Sequence, residues 1–242
     1  MRERPIPFNV AMVRAILGGD KTQTRRAVKL PHHNPLGQWE PTTVGGPGVR
    51  FSDGAPAPSQ AAIWHTRTGD ALLCPYGQPG DRLWVREPWR CTADLDKHSG
   101  NQMADLCLDA GYNAPWAPIQ YEADGQRVNW QHTSTPPHDG PPRPGRYRHA
   151  RFMPRWACRL ELEITRVRVE RLQAINHADA IAEGVGLNPS AADVTMTSPE
   201  GDSLPRVMFR ALWEQINGSE AWAANPWVWV VEFRRVAGGG QS

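Results

Sequence analysis

The chain lacks long apolar runs, a large net charge and closely paired cysteines. No stretch of its 242 residues suits a membrane span, and no apolar run follows Met1-Arg2-Glu3-Arg4-Pro5. Neither a membrane segment nor a signal peptide is therefore expected. The formal net charge of +2 is too small for a general polyanion binder, so any contact with nucleic acid must come from a local patch. Cys74, Cys91, Cys107 and Cys158 form no Cys-x-x-Cys pair, which argues against a zinc ribbon and fits reduced thiols in a cytoplasmic protein. The eight histidines show no ligand-like spacing. No metal and no cofactor are expected.

Glycine and proline are plentiful instead, at 22 and 23 residues, so loops must be abundant. Eleven tryptophans supply apolar volume that aliphatic side chains usually provide. Residues 45–59 and 133–145 are rich in Pro and Gly and are expected to be poorly ordered. Residues 188–205 form a third polar loop. No stretch between these loops carries a complete core of its own. The expectation is one domain over residues 1–236, with insertions near 29–70, 91–150 and 188–205 and a disordered tail at 237–242.

Val10, Val13, Ile16 and Leu17 fall at helical spacing, and Gly18-Gly19 supplies a helix stop. Pro79-Gly80-Asp81 reads as a turn leading into a strand over Leu83-Trp84-Val85. In residues 158–172, Leu160, Leu162 and Ile164 alternate with charged residues, and then Val167 and Val169 take the opposite parity. A period of two cannot switch parity without an extra residue, so a bulge near Thr165 or Arg166, or a tight turn there, is predicted. Asn176 is the N-cap of a short helix running to Gly184, with Asp179 reaching back. A second helix covers residues 206–216 with Val207, Met208, Ala211, Leu212, Gln215 and Ile216 as its packed face. Short strands with peripheral helices indicate an α+β fold.

The densest polar cluster follows the first helix: Lys21-Thr22-Gln23-Thr24-Arg25-Arg26. A lysine acts as a base only if its pKa is lowered, which burial and nearby cations such as Arg25 and Arg26 achieve. Thr24 could supply a hydroxyl nucleophile or orient water if Lys21 takes its proton. Residues 21 and 24 of a regular strand point to opposite faces, so Lys21 must lie in the turn before the strand, or a bulge must intervene.

Four ordered segments resemble the ASCH family, a branch of the PUA-like β-barrels. Gly19-Asp20-Lys21-Thr22-Gln23-Thr24-Arg25-Arg26 is similar to its Gly-x-Lys-Thr-x-Thr-x-Arg signature, and Gly80-Asp81-Arg82-Leu83-Trp84-Val85 to its Gly-Asp-x-Leu-x-Val strand. Ala182-Glu183-Gly184 closes a short helix, and Val230-Val231-Glu232-Phe233 is similar to the closing strand. The resemblance covers about half the chain, and its length and tryptophans look most like the larger members carried by bacteriophages and prophages. It implies a PUA-like barrel with peripheral helices and long loop insertions, in a bacterial or phage-infected host cytoplasm.

Some small family members resemble amidohydrolases that remove the acetyl group of N4-acetylcytidine with a Lys, a Thr and a Glu. By position these fall on Lys21, Thr24 and Glu183. Arg26 matches the arginine after the second Thr and could hold a phosphate or a base carbonyl. Arg86, Glu87 and Trp84 are candidates for the rim of the substrate site, with Glu87 the reserve acid. Arg148, Arg151, Arg155 and Trp156 belong to a run of arginines interleaved with aromatics, a composition suited to single-stranded nucleic acid. The expected partner is a nucleoside or RNA. The first functional expectation is deacylation of an acylated cytidine-type nucleoside. A non-catalytic RNA or modified-base module and a ribonuclease are the alternatives.

Overall fold

A computed structural model describes residues 1–50, 52–109, 117–133, 140–186 and 201–236, the side chain of Cys107 excepted. The expected tail at 237–242 and most of the loop at 188–205 lie outside the described residues. In chain order the elements are β1 (Glu3–Pro7), α1 (Val10–Gly18), β2 (Gln23–Ala27), β3 (Trp39–Val44), β4 (Gln60–His65), β5 (Ala71–Leu73), β6 (Arg82–Arg86), β7 (Trp89–Arg90), α2 (Gly100–Asp109), β8 (Ile119–Tyr121), β9 (Arg127–Val128), β10 (Glu161–Arg171), α3 (His177–Ala182), α4 (Leu204–Asn217) and β11 (Trp227–Arg235). The fold is mixed α+β, mostly sheet with few helices. No sheet closes into a barrel among the described residues. No described helix is long and apolar enough to cross a membrane.

The chain divides into two compact units, both discontinuous. The first comprises Met1–Arg2, Gly18–Arg82 and Glu163–Arg234; the second comprises Glu3–Leu17, Leu83–Leu162 and Arg235–Ser242. In the first unit β2 pairs antiparallel with β11, with Thr24 opposite Val231 and Arg26 opposite Trp229. Val228, Trp229, Val230 and Val231 are all buried. That explains a continuous apolar run where a half-exposed strand would alternate. Leu172, Ile175, Ala180, Phe209, Trp213, Trp222, Val228 and Val230 form its core. β3, β4 and β5 make a separate antiparallel sheet. The loop at 45–59 joins β3 to β4 and is tied by backbone bonds from Gly46 N to Ala57 O and from Ala57 N to Val49 O, both 2.9 Å. Its described residues therefore carry backbone bonds of their own, which its Pro and Gly content does not predict.

In the second unit β7, β8 and β9 form a small sheet. Trp89, Cys91, Met103, Ile119, Tyr121 and Met153 pack together there. α1 buries Val13 and Ile16, as its spacing predicts. The Asn9 side chain accepts from the N–H of Met12 at 2.9 Å and caps it.

β10 runs without interruption over 11 residues. Thr165 and Arg166 are exposed in succession, at the place where the apolar alternation changes parity. Val167 and Val169 are only half-buried. α4 begins at Leu204, two residues before its expected start, and of its expected packed face Met208 and Leu212 do pack against the core, whereas the deepest side chains are others. Phe209 and Trp213 are its most buried large side chains, whereas Val207 and Ile216 are 36% and 52% exposed. Two aromatics at i and i+4 bury more area than the valine–isoleucine stripe could, so they set the helix rotation. Phe209→Ala or Trp213→Ala should cost about 3–5 kcal/mol. Val207→Ala and Ile216→Ala should stay within about 0.5 kcal/mol. Urea unfolding of the four variants checks this, and equal losses would contradict the observed rotation.

Candidate functional site

The polar cluster read from the sequence lies in the first unit. Gly19 takes a φ of +86°, the left-handed conformation that ends α1 and that glycine adopts without strain. Lys21 follows before β2 begins and forms an isolated antiparallel bridge with Glu183. Glu183 is the residue after the last turn of α3. That helix starts where the sequence predicts, with the Asn176 side chain accepting from Asp179 N at 2.8 Å. The bridge is extended by Thr22 N donating to Ala182 O at 2.9 Å.

The Lys21 side chain is fully buried. Its Nζ donates to the Glu183 backbone carbonyl at 2.8 Å and to Glu183 Oε2 at 2.9 Å. The first bond places a cation on a carbonyl at the C-terminal end of a helix. The second neutralises a carboxylate that is only 3% exposed. Burial pushes the Lys21 pKa down, Glu183 opposes this, and Arg26 and Arg25 add to the lowering; the net direction is below 10.5. Burial likewise lowers Arg26, against the pull of Tyr76 and Glu183. Arg26 therefore sits within the field of Glu183.

Lys21 and Glu183 belong to a larger ionic cluster that sequence reasoning missed. Arg25 donates to Glu183 Oε1 at 3.3 Å, to Glu170 Oε2 at 3.2 Å and to Asp179 Oδ2 at 2.8 Å. Arg168 donates to Asp179 Oδ1 at 2.9 Å and also pairs with Glu170 and Glu232. Gln23 accepts from Arg168 at 3.2 Å. Residues 23 and 25 share one side of β2, and 168 and 170 share one side of β10. Polar residues at i and i+2 on two strands were the available signal. It was masked because β10 was read for its valines. Here the strand faces an ionic cluster rather than an apolar core.

Thr24 is buried on β2, and among the described residues its hydroxyl hydrogen-bonds to neither Lys21 nor Glu183. Lys21 does precede the strand. The residues brought into contact are Lys21 and Glu183, with Arg25 as the further partner.

Trp84, Arg86 and Glu87 belong to the second unit. The Glu87 carboxylate is buried and held by Arg159 through bonds of 2.8 and 2.9 Å. Arg159 also pairs with Asp124 at 2.7 Å. Burial raises the Glu87 pKa, against the lowering by Arg159. Trp84 is half-buried, with the Arg86 and Arg155 guanidiniums 5.3 and 5.9 Å from its ring. Of the four residues expected to contact nucleic acid, Arg148 is only 6% exposed. Arg155 pairs with Glu3 and Glu161. Trp156 packs on the core of its unit and donates to Gly100 O at 3.2 Å. Arg151 is exposed.

Comparison with protein-family models, curated proteins and solved structures found no match to this chain. The cluster is therefore interpreted from its own chemistry.

Lys21→Ala would remove the ammonium that neutralises the buried Glu183 carboxylate. It should cost about 3 kcal/mol, the lower end for breaking a buried ion pair, as measured by urea unfolding. A loop lysine on the surface would cost almost nothing. Burial pushes the Asp179 pKa up, but Arg25 and Arg168 outweigh it, and the net direction is below 3.8. The stability that this carboxylate contributes is present above that value and lost as pH falls through its lowered folded-state pKa. Asp179→Asn should cost about 1–3 kcal/mol at neutral pH. It should also flatten the loss of stability below pH 3.8, read by acid titration of the midpoint.

Proposed function

We propose that the first unit is an ASCH-like amidohydrolase site, on a PUA-like scaffold, that deacylates an N4-acylated cytidine-type nucleoside or base. The observation that carries this reading is the 2.9 Å contact between Lys21 Nζ and Glu183 Oε2, made between residues 162 positions apart. The motif resemblance had singled out this same pair as catalytic partners. A buried lysine beside two other cations is also the environment that produces a usable base.

In the proposed reaction neutral Lys21 takes a proton from water, or from the Thr24 hydroxyl, as the oxygen attacks the acyl carbon. The carbonyl oxygen gains negative charge, which Arg26 is placed in sequence to stabilise. The carbon–nitrogen bond then breaks, and the exocyclic amine leaves with a proton passed through the Lys21–Glu183 pair. If Thr24 is the nucleophile, its acyl ester is cleaved by water in a second step. The net reaction consumes one water and yields a carboxylic acid and the free amine. Lys21 is fully covered in the free protein, so a substrate amide reaches Nζ only after local rearrangement.

The test is release of cytidine from N4-acetylcytidine, followed by chromatography. Lys21→Arg keeps the buried cation but remains protonated, and it should lose about 10²–10⁴-fold in rate. Thr24→Val removes only the hydroxyl, and its rate should fall if Thr24 orients water or attacks. The rate of the unaltered protein should rise with pH, because the base must be deprotonated, with a midpoint below 10.5, the direction in which Lys21 is shifted. Full turnover by Lys21→Arg overturns the assignment, as does saturable nucleoside binding with no turnover.

A further inference from the structure

The second unit holds a cleft of about 550 Å³ that the proposed reaction does not use. Arg86, Arg146, Arg148 and Arg151 line it with Tyr147 and Phe152, and no carboxylate does among the described residues. Three arginines elsewhere in this unit are neutralised by carboxylates: Arg90 by Glu122, Arg155 by Glu3 and Glu161, and Arg159 by Glu87 and Asp124. Arg146, Arg148 and Arg151 have no ion pair with a carboxylate among the described residues.

Arg148 is the most telling of them. It is 6% exposed, stacked 5.4 Å from the Trp89 ring centre, and its Nη2 donates to Leu95 O at 3.1 Å. Its Nε is buried without a hydrogen-bond partner. Asp96, whose field reaches it, accepts instead from the backbone N–H of Arg146 at 2.8 Å. A buried cation with no carboxylate in contact is costly unless a further anion compensates it. The first turn of α2 adds to the positive potential, since Ser99 and Gly100 also line the cleft. Gly100 lies so close to Pro154 that an added Cβ would meet Pro154 Cγ at 3.0 Å, so this turn packs directly on the cleft wall.

The aromatic rings narrow the ligand class. Tyr147 and Phe152 are 41% and 55% exposed, and the Arg151 guanidinium lies 4.6 Å from the Phe152 ring centre. A bare anion needs only the guanidiniums, whereas exposed rings beside them suit a planar base attached to the anion. The volume is within the range of small-molecule sites.

We propose that this cleft binds a nucleoside phosphate, with the phosphate on Arg146, Arg148 and Arg151 and the base against Tyr147 or Phe152. The same chemistry is offered by a free nucleotide and by one unit of a single-stranded RNA. The proposal concerns the second unit alone and stands whether or not the first unit is a hydrolase.

The test uses the full chain, a fluorescein-labelled ten-nucleotide oligocytidylate RNA read by anisotropy, and cytidine 5′-monophosphate and inorganic phosphate as competitors. Binding should weaken with rising salt. The Arg146→Ala/Arg151→Ala double variant alters two exposed side chains and should keep the circular dichroism of the parent. It should weaken binding at least tenfold and reduce the salt slope by about 1.4, the value for two phosphate contacts on a single strand. Phe152→Ala should weaken binding by about 5–100-fold. If the monophosphate displaces the RNA at concentrations near the RNA affinity, the free nucleotide is the ligand. If the RNA binds far more tightly, the strand is. No binding of either at low salt overturns the proposal, as does affinity unchanged in both variants. Competition by inorganic phosphate equal to that of the monophosphate, with no effect of Phe152→Ala, also overturns it, because the site would then hold only an anion.

Discussion

A charge removed from water must meet an opposite charge, and much of the first unit is arranged around that requirement. The Lys21 ammonium is fully covered, so Glu183 must face it. Glu183 can do so only because α3 ends beside the turn before β2. The Asn176 cap at the start of that helix and the Gly184 turn at its end, with a φ of +75°, define its length. Arg25 then ties α3 to β10, and Arg168 ties β10 to both α3 and β11. The core of Phe209, Trp213, Trp222 and Val228 supplies the nonspecific stabilisation. The ion pairs set which residues of the helix and strands stand opposite one another, since a shifted register would leave buried charges unpaired.

The same rule separates two kinds of arginine in the second unit. Arg159 is surrounded by Glu87, Asp124 and the Tyr121 ring, 3.9 Å from its guanidinium carbon, and its positive charge is fully answered. Such a cluster is complete without a ligand. The cleft arginines have no such carboxylates, and one of them is buried. The arginine–aromatic pattern in the sequence is common to both groups. What divides them is the carboxylates brought in from distant positions, such as Glu3 and Glu87, which no local pattern records.

Much of the local structure was legible before folding. The spacing of Val13 and Ile16 marked α1, the Asn176 cap marked α3, and the turn at Pro79-Gly80-Asp81 marked the start of β6. Each depends on neighbours within a turn or a strand, where periodicity reflects burial directly. The Lys21–Glu183 pairing was legible only through the order of motifs resembling the ASCH family, since 162 positions separate the two residues. The rotation of α4 was misread because apolar spacing favoured Val207 and Ile216 over Phe209 and Trp213. The backbone bond from Gly46 to Ala57 was not legible, because Pro and Gly content does not register such bonds.

The sequence by itself determined the element types, the polar turn at Lys21 and the absence of any apolar stretch suited to a membrane, because each follows from residues adjacent along the chain. Tertiary structure alone decided that Lys21 is buried against Glu183 rather than a solvated surface charge. It also decided that Arg148 is buried while Arg151 is exposed, and that Glu87 is consumed by Arg159. The physical reason is common to all three. Burial and counter-charge are set by what the fold brings within a few ångströms, and for these side chains the decisive partners lie tens to more than a hundred residues away.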